Sequence, residues 1–200
     1  MSNREFVAEN YVKEELIFKR GREIWFSILV MTIHGMVFGG LFYLLWPENI
    51  DAGLSMGGEA LTRLTRIGIT LGIILFVGVI LHEIIHAIFY AIFCKNKFKS
   101  VKIGIRLLKG YAYCECKEIL PTNKFAVGLL MPAILTGIVP SIISLFTGNF
   151  DLLFFSMIWF AMSGSDLLTF KKIARNMKGT WFENAVAIEK WYVYKPIKSK

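Results

Sequence analysis

Four long apolar segments are the feature that most constrains how this chain can fold. Each is long enough to cross a bilayer core of about 30 Å, which takes roughly 20 helical residues. A chain of 200 residues, 55% of them hydrophobic, has too little other material to cover four such helices in a soluble protein. The sequence therefore predicts an all-α membrane protein with four transmembrane helices, at residues 24–46, 67–93, 125–147 and 152–170.

No linker, repeat or low-complexity stretch divides the chain, so we expect one integral membrane domain over residues 1–200. The net charge of +8 does not indicate a nucleic-acid partner, because the basic residues flank the apolar segments and form no separate basic domain. The expected surroundings are instead the lipid bilayer and the water at its two faces.

The distribution of lysine and arginine predicts the orientation of the spans. Four basic residues between residues 13 and 22 precede the first span, and eight follow the second span between residues 95 and 124. Only Arg63 and Arg66 lie between the first two spans. Lysine and arginine are enriched in the cytoplasmic loops of membrane proteins. We therefore expect a multi-pass cell-membrane protein with both termini in the cytoplasm. The three cysteines would then lie near a reducing compartment, which makes structural disulfides unexpected.

The segment between the second and third spans does not have a helical pattern. Val101, Ile103 and Ile105 alternate with polar residues or glycine, and a possible turn at residues 109–110 precedes a second strand-like run. The sequence thus predicts a small cytoplasmic β-hairpin at about residues 100–117. The aromatic and basic tail after Gly179 suits either the membrane interface or a packed cytoplasmic cap.

The second apolar segment contains the motif His82-Glu83-Ile84-Ile85-His86. On a helix, residues i and i+4 share one face, so the two imidazoles can bind one metal ion while Glu83 activates a zinc-bound water as general base. Zinc suits this set, because three protein ligands leave a position for that water. The alternative is a chance pattern or a pair of packed histidines. Such polar groups in an apolar span are costly unless they pair, bind metal or line a wet cavity.

Asp166 is the candidate third metal ligand. It lies about 7 Å of helix rise from Lys171, and His86 lies about 13 Å from Lys95, so both residues belong to the same leaflet. The neighbouring Gly164 and Ser165 are small enough to permit close helix approach. The alternative is a helix-end carboxylate that pairs with Lys171 or Lys172.

Other candidates for the metal site are weaker. Glu115 and Glu118 could fold back from the hairpin, but exposed hairpin carboxylates are ordinary. Cys114 and Cys116 form a single C-x-C without a second pair, and we expect Cys94 to be a buried apolar filler. His34 is a lone histidine among apolar neighbours and stays outside the predicted site.

The residues described above resemble the site-2-protease (M50-like) class of intramembrane zinc metalloproteases and, more closely, the DUF3267 zincin peptidase family. The resemblance covers about residues 67–195 and is carried by four segments: 82–86, 113–121, 130–132 and 164–166. It implies that His82, His86 and Asp166 are zinc ligands, that Glu83 is the catalytic base, and that the substrate is a membrane protein or peptide cleaved near or within the bilayer.

The expected function is therefore zinc-dependent peptide hydrolysis in the cytoplasmic leaflet. Two alternatives belong to other classes of protein. A non-catalytic relative of the same fold would bind transmembrane partners and would tolerate loss of the Glu83 carboxylate. A metal transporter would need a polar path through the spans, which the sparse polar residues in the outer halves of the second and fourth spans argue against.

Overall fold

The structure is a computed structural model that describes residues 7, 9–16, 20–49, 60–106, 111–174, 177–185 and 190–197. The loop between the first two predicted spans, residues 50–59, lies outside this set, as does the turn of the predicted hairpin at residues 107–110. The described chain is mostly helical, with two small sheets.

The first strand and the first span come from the N-terminal part of the chain. Strand β1 (Tyr11–Leu16) precedes helix α1 (Arg20–His34). A π-helical turn (Gly35–Gly39) then joins α1 to helix α2 (Gly40–Leu45). Together these helices form an apolar stretch, Ile24–Leu45, that is long enough to cross a membrane.

The second span and the hairpin follow in direct succession. Helix α3 (Ala60–Phe93) contains the apolar stretch Leu71–Phe93 and leads into a 3₁₀ turn (Lys97–Ser100). Strands β2 (Val101–Arg106) and β3 (Tyr111–Cys116) then pair antiparallel along their full length. This pairing confirms the hairpin that the alternating pattern predicted.

The third span is continuous but changes its helical geometry in the middle. After the short strand β4 (Leu120–Pro121), helix α4 (Thr122–Pro132) passes into a π-helical segment (Ala133–Ile138) and then into helix α5 (Val139–Thr147). Proline lacks a backbone N–H and interrupts the regular ladder, and a wider turn accommodates the interruption. The Thr136 hydroxyl also donates to the Pro132 carbonyl at 2.7 Å.

The fourth apolar segment is broken rather than straight. Helix α6 (Phe150–Met162) and helix α7 (Gly164–Ile173) meet at Ser163 with a bend of 50°. The sequence predicted a single transmembrane helix at residues 152–170, and the structure divides this segment into two helices. The cause is local: the backbone N–H of Ser163 bonds to the Phe160 carbonyl, a tighter turn than the α-helix makes.

The small residue after the bend permits close helix packing, as the sequence predicted. A side chain at Gly164 would lie 2.8 Å from the Cα atom of Ser27, so α7 can approach the backbone of α1 only because Gly164 has no side chain. Ser165, in contrast, is exposed.

The two ends of the described chain meet in a four-stranded antiparallel sheet, in the order β1-β6-β5-β4. Its remaining strands are β5 (Trp181–Ala185) and β6 (Lys190–Pro196). The sheet corrects the all-α prediction, which included only the hairpin. Its longest pairing joins strands from opposite ends of the sequence, and β1 has exposed residues on both faces, so no local alternation marks it.

The hairpin and the sheet adjoin at the same end of the helices. The Asn184 side chain of β5 donates to the Cys114 carbonyl of β3 at 3.3 Å. Buried apolar residues of α3, α4, α7 and both sheets form one cluster there, which includes Tyr90, Cys116, Phe125, Ile173 and Phe182. Burial of these side chains fixes the ends of three helices against the strands.

Within the described residues, three helices are long and apolar enough to cross a membrane, and a fourth crossing is reached if the bent pair α6 and α7 counts as one span. The three are Ile24–Leu45, Leu71–Phe93 and Thr122–Thr147. Their bounds agree closely with the first three predicted segments.

Candidate metal centre

Three side chains from two helices converge on one point. His82 and His86 lie one turn apart on α3, and Asp166 lies in the first turn of α7, just after the bend. The Oδ2 atom of Asp166 is 3.0 Å from Nε2 of His82 and 3.3 Å from Nε2 of His86. The two Nε2 atoms are 3.1 Å apart. The structure therefore brings the three predicted ligand side chains together, and it does so with one potential ligand atom from each.

A main-chain carbonyl determines that the Nδ1 atom of His86 carries a proton. Its Nδ1 atom lies 2.9 Å from the carbonyl oxygen of Gly128, on the neighbouring helix α4. A carbonyl oxygen can only accept, so Nδ1 carries the proton and donates it. In a neutral imidazole this leaves a lone pair on Nε2, the atom that points to His82 and Asp166. Metal-ligating histidines are commonly oriented by such a second hydrogen bond.

Glu83 lies beside these residues without a hydrogen-bond partner for one of its oxygen atoms. The residue is 9% exposed, and Oε2 is buried and unpaired within the described part of the chain. An unpaired buried carboxylate oxygen is unfavourable, so this atom is suited to accept a hydrogen bond from a water molecule. The position matches that predicted for a base next to the two histidines.

The donor set and its spacing fit zinc. Atoms that each lie 2.0–2.2 Å from a tetrahedral ion are about 3.3–3.6 Å from one another, and the three observed separations, 3.0, 3.1 and 3.3 Å, lie at or slightly below the lower end of that range. Two imidazoles and one carboxylate are also a ligand combination of catalytic zinc sites, in which the fourth position remains available. His82, His86 and Asp166 could therefore hold the ion with little rearrangement.

A stack of aromatic rings connects the candidate centre to the four-stranded sheet. The ring of Tyr90 lies parallel to His86, with centroids 5.7 Å apart, and Phe125 follows at 5.0 Å from Tyr90. Phe182 of β5 completes the stack at 4.2 Å from Phe125. These rings belong to the cluster at the strand end of the helices, so they pack against one face of the His86 ring and support it.

Gly128 serves this arrangement in two ways. Its carbonyl accepts a hydrogen bond from His86 Nδ1, and its missing side chain leaves room for Tyr90, since a Cβ atom there would lie 2.5 Å from Tyr90 Cδ1. Sequence reasoning missed both Gly128 and Tyr90. Main-chain carbonyls have no sequence signature, but a glycine inside an apolar helix is a sign of close packing that could have drawn attention to the position.

The weaker candidates lie elsewhere. The Glu118 carboxylate accepts hydrogen bonds from the backbone N–H groups of Lys95, at 3.0 Å, and Asn96, at 3.1 Å, and from the Ser100 hydroxyl. Glu118 therefore holds the connection between α3 and the hairpin. Among the described residues, neither Glu118 nor Glu115 joins a group of potential metal ligands.

His34 is a hydrogen-bonded packing residue in the structure. Its Nε2 atom lies 2.8 Å from the Ser141 hydroxyl, and its ring stacks on Phe160 with centroids 4.1 Å apart. Ser141 in turn lies 2.6 Å from the Ser156 hydroxyl. This polar cluster joins three helices and is separate from the candidate metal centre.

The three cysteines are buried free thiols. Burial raises the pKa of Cys114, and the nearby carboxylates of Glu83 and Asp166 raise it further. The sulfur atoms of Cys94 and Cys116 lie 2.9 Å apart, and the hydrogen bond from Cys94 lowers the pKa of the Cys116 thiol. Cys94 is thus a buried filler, as expected, but one with a thiol partner.

Taken together, these features define a helical protein with membrane-spanning composition and a candidate metal centre of two histidines and one aspartate between two of its helices. The chain belongs to the DUF3267 family, described as "Putative zincin peptidase", whose model matches residues 75–181. The match runs from α3 to the start of β5 and includes all three potential ligands and Glu83. No curated protein and no solved structure matches the chain significantly.

Proposed function

We propose that this protein is a zinc metallopeptidase that hydrolyses peptide bonds within or next to the membrane. The observation that carries the proposal is the convergence of His82, His86 and Asp166 beside the unpaired carboxylate oxygen of Glu83. The family description supports the same class of reaction. The substrate would be a membrane protein or a peptide.

In this proposal the three ligands hold the ion and Glu83 moves the protons. When bound, zinc supplies a Lewis acid that lowers the pKa of water and polarises a peptide carbonyl. Glu83 accepts a proton from the attacking water at Oε2 and then donates it to the leaving amine. Gly128 holds the His86 ring in the orientation that directs Nε2 toward the ion. Burial of the site restricts the water that reaches it.

We further propose that the site belongs to the cytoplasmic leaflet and that both termini are cytoplasmic. The pairing of β1 with β6 supports the second statement, because strands of one sheet must lie on the same side of a bilayer. The excess of lysine and arginine around the hairpin supports the cytoplasmic assignment.

The test separates metal binding from hydrolysis. Purified wild type, Glu83→Gln, His82→Ala and Asp166→Ala are reconstituted in liposomes with a pool of synthetic transmembrane peptides, and cleavage is followed by mass spectrometry. Bound zinc is measured on the same samples. Wild type should hold one zinc ion per chain, and Glu83→Gln should retain it while losing cleavage by at least 10²-fold. The two ligand variants should lose both zinc and cleavage.

Two outcomes would contradict the proposal. Cleavage that persists in Glu83→Gln would exclude this residue as the base. The second outcome is a wild-type protein that binds one zinc ion per chain but cleaves no peptide, together with cells in which Glu83→Gln has the same phenotype as wild type. That result would favour the non-catalytic alternative that binds transmembrane partners.

A further inference from the structure

A groove lies on the other side of α7 from the candidate metal centre. It has a volume of about 630 Å³ and lies between α1 and α7, and Phe160 and Ile138 also line it. Leu167 of α7 lines this groove, whereas the preceding residue, Asp166, contacts His82 and His86. The groove and the metal centre thus use different faces of one helix, and the proposed hydrolysis does not involve the groove.

The groove has the length of one lipid leaflet. The wall formed by α1 and the π-helical turn after it runs from Phe26 to Phe38, twelve residue steps or about 18 Å of helix, inside the apolar stretch Ile24–Leu45. The hydrocarbon layer of one leaflet is about 15 Å deep. The lining side chains are apolar apart from His34, whose Nε2 atom is already hydrogen-bonded to Ser141, and Lys171.

The groove is narrow along its length. Its volume spread over that length gives a mean free cross-section of about 35 Å², less than the cross-section of about 80 Å² that a whole α-helix, about 10 Å across, would fill. A single acyl chain is thinner than a helix and can enter the groove fully. The groove therefore fits a lipid chain better than a transmembrane segment of a substrate.

One end of the groove carries a positive charge. Lys171 lines the groove in the last turn of α7, and its ammonium group lies 5.3 Å from the centroid of the Phe26 ring. Within the described residues, Lys171 contacts no carboxylate. The sequence offered Asp166 as its partner, but the Asp166 carboxylate contacts His82 and His86 instead. Phe26 and Lys171 both lie near the strand end of their helices, where a headgroup region would begin.

We propose that this groove binds one acyl chain of an anionic phospholipid, with the lipid phosphate paired to Lys171. The inference rests on the proposed membrane location but not on the proposed hydrolysis. A zwitterionic lipid carries the same phosphate and fits the apolar walls equally well, but its own ammonium group balances the phosphate charge, so an anionic headgroup complements Lys171 better. The bound chain would pack against Leu167 and Phe170 of the helix that carries Asp166.

Lipid retention tests this proposal without any measurement of cleavage. The protein is purified in detergent with equal amounts of phosphatidylglycerol and phosphatidylcholine, and retained lipids are counted by native mass spectrometry. Wild type should retain one phosphatidylglycerol in preference to phosphatidylcholine. Lys171→Gln should lower that preference about fivefold, the effect of one basic side chain near an anionic headgroup. Val30→Trp, which fills the groove, should lower retention of both lipids.

Lys124→Gln is the matched control, because Lys124 is an exposed lysine near the strand end of the helices that does not line the groove. It should retain lipid as wild type does. Zinc content of each variant shows whether the metal centre is intact, so failure of the metal proposal is visible separately. The lipid proposal is overturned if wild type retains no phospholipid, or if Lys171→Gln and Lys124→Gln keep the same preference for phosphatidylglycerol.

Discussion

At the scale of single residues, the two nitrogen atoms of His86 make different contacts. Nδ1 donates to a main-chain carbonyl of α4, while Nε2 points to His82 and Asp166. The acceptor is the Gly128 carbonyl, which no side-chain substitution can remove. A larger residue at position 128 can displace it, however, because Gly128 lies against the ring of Tyr90.

Gly128→Ala should weaken zinc binding. A Cβ atom would lie 2.5 Å from Tyr90 Cδ1, so either the Tyr90 ring or helix α4 must move, and both support His86. We expect a loss of about 1–3 kcal/mol in the free energy of unfolding and a 10- to 100-fold loss of zinc affinity. Competition with a chelator measures the affinity, and thermal unfolding measures the stability.

Gly40→Ala is the control for this substitution, since a Cβ atom at Gly40 meets no atom within 4 Å. It should leave zinc affinity unchanged and, within a helix, should not reduce stability. Equal zinc affinity in Gly128→Ala and Gly40→Ala would show that the Gly128 contact does not position His86.

At the scale of helices and strands, two contacts position α3 and α7, the helices that carry the candidate metal ligands. The first is Glu118, whose carboxylate accepts hydrogen bonds from the segment that follows α3. Burial alone would raise its pKa, but the bonds from Ser100, Lys95 and Asn96 outweigh burial and lower the pKa below its usual value. The ionised form therefore stabilises the connection between α3 and the hairpin.

Glu118→Gln should reduce stability at neutral pH and change its response to acid. Because the folded-state pKa is depressed, the stabilisation is present above the unfolded pKa of about 4.3 and is lost as the pH falls below it. We expect wild type to exceed the variant by about 1–2 kcal/mol at pH 7, and the difference to shrink between pH 5 and pH 3. Denaturation at several pH values measures it. A constant difference across this range would contradict the assignment, and Glu115→Gln serves as the control.

The second contact is the close approach of α7 to α1 at the bend. In Gly164→Ala, the added Cβ atom would meet the backbone of Ser27 at 2.8 Å, so the helices must separate. We expect a loss of about 1–3 kcal/mol in stability, and weaker zinc retention because Asp166 follows two residues later. Gly35→Ala, where the nearest atom is the flexible end of Met157, should cost less on both measures. A Gly164→Ala protein as stable as Gly35→Ala would show that the helices are not tightly packed here.

The sequence predicted the elements that have a local periodic signal. The alternation of Val101, Ile103 and Ile105 marked the hairpin, and the apolar runs marked three spans to within a few residues. It also assigned Asp166 and His86 to the same leaflet, in agreement with their contact. It did not predict the break at Ser163, although Ser163, Gly164 and Ser165 are weak helix formers, because such small residues are also common where membrane helices pack closely.

At the scale of the whole molecule, what the sequence did not reveal is long-range pairing. The four-stranded sheet joins β1 to β6, and its cross-strand contacts, such as the Lys13 ammonium on the Glu183 carboxylate at 3.1 Å, arise only after the chain has folded. The Tyr194 hydroxyl donates to the same carboxylate at 2.6 Å. No local pattern specifies which distant strands will meet.

This pairing predicts the topology of the protein. Reporter domains fused at either terminus should give the same signal, and that signal should be cytoplasmic, whereas a reporter inserted in the loop at residues 50–59 should lie on the opposite side. Activity of a compartment-specific reporter in intact cells measures each position. Termini on opposite sides would be incompatible with the β1 and β6 pairing.

The position of β6 within the sheet also sets an order of events during protein synthesis. β6 lies between β1 and β5, yet it is translated after both. β1 therefore cannot pair with β6 until almost the entire chain has been synthesised. Asp166 likewise leaves the ribosome 80 residues after His86. A nascent chain therefore carries two imidazoles without the proposed third ligand, so the proposed zinc site is complete only after α7 has been translated.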